Sequence, residues 1–83
     1  MNIGDEVYAV DGGYGIVRHG FITGESFAHN ASNQTMTVYA VSYNDNPYPP
    51  FVSYPEWGRH TERELFEERG QALAYSGYLR REV

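Results

Sequence analysis

Gly4-Asp5-Glu6-Val7-Tyr8-Ala9-Val10-Asp11-Gly12-Gly13-Tyr14-Gly15-Ile16-Val17-Arg18 decides the fold. Val7 to Val10 form a short apolar run suited to a half-buried strand, here assigned to residues 5–10. Asp11-Gly12-Gly13 supplies the positive φ of a tight hairpin, and Gly15-Ile16-Val17 opens a second extended segment. This glycine-rich stretch is not a phosphate cradle, because no Gly-Lys-Ser/Thr follows it and no helix starts there. A hairpin at the N-terminus makes a small curled sheet the expected architecture.

Outward from that hairpin, residues 14–23 read as strand two, with Gly20 marking a bulge or sharp bend. Residues 24–33 are polar and read as a loop anchored by Phe27. Thr35 to Tyr43 is the clearest strand, carrying Met36, Val38 and Ala40 on one side and Thr37, Tyr39, Val41 and Tyr43 on the other. Both sides hold apolar bulk, so the buried side is left open; an exposed Tyr39/Tyr43 side would pair two copies into a homodimer. Asn44 to Pro50 is a stiff proline turn. Phe51 to Tyr54 reads as a fourth strand stopped by Pro55, and Leu65-Phe66 as a short fifth. Between them the polar stretch 56–62 has no clear state, with Trp57 expected to be tucked inward.

The C-terminal stretch from about 67 to 80 is expected to be helical. Acids stand at its front and arginines at its back, the order a helix dipole favours. Ala72, Tyr75, Ser76 and Leu79 form its packing stripe, while Gly70 and Gly77 weaken it. The whole chain of 83 residues (1–83) reads as one domain, mainly β (α+β), with about five strands and one helix.

Composition narrows the function. The formal charge is −5, with eleven acids against six arginines and no lysine, a poor basis for gripping phosphate. With no cysteine, thiol chemistry and zinc knuckles are excluded. The acidic N-terminus does not read as a signal peptide, and no apolar run reaches membrane-spanning length, so the cytosol is the expected address. The sequons at Asn30 and Asn33 then read as coincidental. His19, His29 and His60 show no ligand spacing, and the pairs Asp5-Glu6, Glu62/Glu64 and Glu67-Glu68 lack a pocket to split their pKa values. No nucleophile motif is present, and we expect no metal, no cofactor and no catalysis.

The aromatic cluster carries the functional reading. Tyr43, Tyr48, Phe51, Tyr54 and Trp57 alternate with Pro47, Pro49, Pro50 and Pro55, giving broad contact area at low entropic cost. Three uses are open: a plug for the end of the sheet, a protein-docking surface, or an aromatic box for a cation beside Asp45 or Glu56. Docking is the use adopted here, with Tyr43, Asp45, Tyr48, Phe51, Tyr54 and Trp57 as candidate partner-binding residues.

The Gly-Asp-x-Val start, the Gly-x-Val second strand and the Tyr-x-Val-x-Tyr strand followed by Asn-Asp resemble SH3-like small barrels of the Tudor and KOW kinds, over residues 4–45. The Leu65-Phe66 strand and the alanine-rich helix after it look like the ends of many small phage and bacterial proteins. The resemblance implies a binding module rather than an enzyme. Combined with the acidic charge, it suits an accessory or inhibitory protein of a phage or mobile element, acting on a basic nucleic-acid-binding protein. The alternative is a nucleic-acid-binding regulator of transcription or translation, using Arg18, Arg59, Arg63, Arg80 and Arg81 if they converge.

Overall fold

The computed structural model describes residues 1–10, 15–45 and 55–81, with residues 78–81 as backbone only. Five antiparallel strands form one sheet: β1 (Glu6–Val10), β2 (Val17–His29), β3 (Thr35–Tyr43), β4 (Trp57–Thr61) and β5 (Leu65–Phe66). Their order is β4-β3-β2-β1-β5. A 3₁₀ turn at Glu62–Glu64 links β4 to β5, and α1 (Arg69–Arg81) ends the chain. The two edge strands are thus consecutive in sequence, yet no ladder joins them. The sheet is curled rather than closed, a form compatible with a small barrel-like fold.

One face holds the core. Val7 and Ala9 of β1, Ile22 of β2, Tyr39 and Val41 of β3 and Leu65 of β5 form one buried cluster. The 3₁₀ turn touches β3 as well as β4 and β5, which requires the sheet to curl over this face. Val7, Ile22 and Val41, fully buried, contribute about 1.5–3 kcal/mol each. Strand alternation turns Val10 and Phe66 to the opposite face, where α1 packs against β1, β2 and β5. There the Phe66 and Tyr75 rings meet at 5.5 Å, Ala72 and Ser76 are buried, and the Ser76 hydroxyl donates to the Gly15 carbonyl. Ala72, Tyr75 and Ser76 form the described part of the expected stripe, and the side chain of Leu79 lies outside the described residues.

The mainly β architecture, β1, β3, β5 and the terminal helix agree with the sequence reading. Several particulars do not. Residues 24–29 are not loop: β2 runs on to His29 and pairs with β3 as far as His29 opposite Thr35. The turn is confined to the residues after His29, where the Asn30 side chain accepts from the N–H groups of Ser32 and Gln34 and Asn33 takes φ 59°. Phe27 anchors nothing and is 69% exposed. The register breaks at Thr23, between Ile22 and Gly24, and not at Gly20. Gly20 is required instead by a close approach: a Cβ there would lie nearer than 3.0 Å to the Ser42 carbonyl oxygen of β3. The ambiguous stretch after Glu56 is β4, with Trp57 standing out of it rather than tucked in. The expected turn at 11–13, the proline turn from residue 46 onward and the strand at 51–54 lie outside the described residues.

The open choice on strand three is resolved by burial. Tyr39 and Val41 face the core, so this face cannot pair two copies. Burial, then the carboxylates of Glu62 and Glu25, hold the Tyr39 phenol above its ordinary 10.0. A proton bound more tightly in the folded state gives stability that is complete below about pH 10 and lost as pH rises through the folded value. Tyr39→Phe is therefore expected to flatten the fall of the urea midpoint between about pH 8 and about pH 11. An unchanged slope would show that the phenol does not couple to folding.

Candidate binding surface

Tyr43 and Asp45 come together around a cation that belongs to the chain itself. Arg18 is on the core face of β2, 2% exposed. Its Nε donates to Asp45 Oδ1 at 3.2 Å, and its Nη2 donates to the backbone oxygens of Asp45 and Pro55 at 3.0 and 3.2 Å. The guanidinium carbon stacks 4.0 Å from the Tyr43 ring centroid. Asp45 Oδ2 accepts the His19 backbone N–H at 2.9 Å, locking the end of β3 to β2. Beyond the ring, the Tyr43 hydroxyl and His60 Nε2 hydrogen-bond, and His60 Nδ1 lies 3.7 Å from Glu64. Of the residues considered for a cation box, Tyr43 and Asp45 are thus engaged by the chain's own Arg18. Arg18 also leaves the set of arginines that a phosphate backbone could meet.

Trp57 stands on the other face. Register places Glu6, Phe21, Ser42 and Trp57 in one row across β1, β2, β3 and β4, and Tyr8 beside His19 in the next row. Row partners share a face, and this one is opposite the core. His19 is clamped there, with Nδ1 2.6 Å from Asn44 Oδ1 and Nε2 2.7 Å from Glu6 Oε1. Its ring packs 4.9 Å from Tyr8 and 5.8 Å from Phe21. Phe21 is 40% and Trp57 56% exposed, and Arg59 reaches over the Trp57 ring at 6.0 Å. Helix α1 covers the Val10 and Phe66 end of this face; Tyr8 stands directly opposite Phe66, and the row of Phe21 and Trp57 lies beyond it.

The candidate residues therefore divide. Tyr43 and Asp45 hold the ends of β2 and β3 together, Trp57 lies on the open face, and Tyr48, Phe51 and Tyr54 lie outside the described residues. Sequence reasoning missed Tyr8, His19 and Phe21. The available signal was alternation in β2, which turns His19 and Phe21 away from Arg18, Gly20 and Ile22. Of the arginines singled out, Arg18 is buried, Arg59 and Arg63 are exposed on β4 and the 3₁₀ turn, and the side chains of Arg80 and Arg81 lie outside the described set.

An open groove of about 610 Å³ runs between the β2–β3 turn and the 3₁₀ turn, lined by Asn30, Thr35, Thr37, Thr61 and Arg63 among others. Among the described residues, no three of His, Asp and Glu gather as a metal site, and no helix is long and apolar enough to cross a membrane. Comparison with known proteins returns no matching family model, no matching curated protein and no matching solved structure.

Proposed function

We propose that the protein is a non-catalytic binding module of SH3-like form, an accessory or inhibitory protein that docks a protein partner on the open face of its sheet. The observation that carries this reading is the row of Phe21 and Trp57 beside Tyr8 and His19, held on a rigid ladder and exposed. Large rings fixed by a sheet lose little entropy on binding, which suits them as anchors. The Glu6 carboxylate, its side chain 56% exposed, and the formal charge of −5 favour a partner with basic residues around an apolar centre.

The test is capture by the wild-type protein compared with Phe21→Ala and Trp57→Ala, with the exposed Leu73→Ala as control. Each anchor variant is expected to weaken the captured partner by about 2 kcal/mol, roughly thirtyfold in Kd, while Leu73→Ala retains it. Equal retention by both anchor variants, with unchanged circular dichroism, would remove the face from consideration.

A second reading draws on Arg59 beside Trp57, a pairing that also suits stacked bases of single-stranded nucleic acid. It requires Trp57 fluorescence to be quenched by an oligonucleotide at low salt, with a steep loss as salt rises. No quenching at low salt would dispose of it.

A further inference from the structure

The β2–β3 hairpin projects past the rest of the sheet. β1 pairs with β2 only as far as Glu6 opposite Phe21, and Asp5 and Gly4 continue hydrogen bonding as far as Ile22. From Gly24 to His29, β2 pairs with β3 on one side, and among the described residues no strand pairs with its other side. Such a free edge is a template for another strand, and proteins blunt edges with proline, lysine or a bulge. This one contains no proline and no lysine, and displays Phe27 at 69% exposure.

The direction of the free groups follows from the ladder. Asn30 donates its N–H across the hairpin to Gln34, so Ala28 and Ser26, two and four residues back, also face β3. Glu25, Phe27 and His29 therefore turn their N–H and C=O groups to the open edge. The extra residue at Thr23 reconciles this with Ile22, which faces Asp5 and Gly4. The same three residues also share one side of the strand.

We propose that this edge pairs with the same edge of a second copy, antiparallel about a two-fold axis through Phe27. In that register Phe27 meets Phe27 of the second copy, and each Glu25 stands opposite a His29. Every outward N–H finds an outward C=O, so the pairs Phe27–Phe27, Glu25–His29 and His29–Glu25 each exchange two hydrogen bonds. The Glu25–His29 match is self-complementary in charge when the imidazole is protonated and in hydrogen bonding when it is neutral. The surface is separate from the aromatic face, so either can fail without the other. Its small area makes the association weak and concentration-dependent.

Sedimentation of the full chain up to about 1 mM is expected to show a monomer–dimer equilibrium. Phe27→Pro, which removes an outward N–H but none of the β2–β3 hydrogen bonds, and His29→Glu, which opposes two carboxylates, should each raise the dimer Kd at least tenfold. Glu25→His combined with His29→Glu should restore it, and Trp57→Ala should leave it unchanged. Because the chain has no cysteine, Phe27→Cys gives an independent reading that does not depend on tolerance of proline. Opposed Cα atoms about 5.5 Å apart permit a disulfide, so Phe27→Cys should oxidise to a covalent dimer much faster than Ser42→Cys. A monomer at every concentration, a dimer indifferent to His29→Glu, or equal oxidation of the two cysteine variants would each overturn the proposal.

Discussion

Asp45→Ala is expected to lower the melting temperature by roughly 10–25 °C, a loss of about 2–4 kcal/mol. Removing one side of a buried ion pair takes a full counter-charge away from the other, and the Arg18 side chain is only 3% exposed to water. The Asp45 side chain is itself 34% exposed, so solvent screens part of the pairing and the figure falls short of that for a fully buried pair. The backbone oxygens of Asp45 and Pro55 would remain as acceptors, but neither carries a full charge. The His19 N–H also loses its acceptor, which loosens the chain after β3 from β2. A domain of 83 residues has roughly 4–12 kcal/mol in total, so the loss is a large fraction. Adding Arg18→Met should recover part of it, because the buried charge that lost the Asp45 carboxylate is then gone. Urea unfolding of the two single variants and the double variant measures this. Asp45→Ala within about 0.5 kcal/mol of wild type would show that Arg18 is solvated after all.

Arg18 and Asp45 stand 27 residues apart, and neither announces the other in the sequence. Read alone, Arg18 is a cation in a strand and Asp45 a turn former. Only the register of β2 against β3, continued past Gly20 opposite Tyr43, makes them one structure, which is why the residues proposed for a partner include two that serve the fold. The strands that could be read are those whose own residues prefer extension: Val7 to Val10, and the branched and aromatic run from Thr35 to Tyr43. Residues 24–29 were illegible because Gly24, Glu25 and Ser26 disfavour strands individually. They are held extended by the strong strand opposite, with the turn set by the Asn30 side chain and the left-handed Asn33. β4 was missed for a similar reason, since Trp57-Gly58-Arg59-His60-Thr61 lacks a run of branched residues. Gly58 is present because a Cβ there would lie against the Tyr43 hydroxyl, which hydrogen-bonds His60 two residues on. The open aromatic face needed register, and register follows from pairing that no single strand specifies.

Gly20→Ala is expected to cost about 3 kcal/mol or more and to leave much of the protein unfolded at 37 °C. The added methyl would meet backbone: the Ser42 carbonyl oxygen and carbon both fall nearer than 3.0 Å, with a Val41 methyl at 3.0 Å. Backbone cannot swing aside as a side-chain tip can. β3 would have to withdraw from β2 at the point where Gly20 faces Tyr43 and, on its other side, Val7. That withdrawal would also separate Tyr43 from Arg18, joining the steric cost to the electrostatic one. Gly77→Ala provides the contrast, because among the described residues nothing lies within 4 Å of a Cβ there and the residue is inside α1. It should gain about 0.5–1 kcal/mol from helix propensity. Thermal unfolding of the two variants should therefore move in opposite directions from the wild type. A Gly20→Ala protein that melts within a few degrees of wild type would mean that β2 and β3 do not approach as closely as their pairing requires.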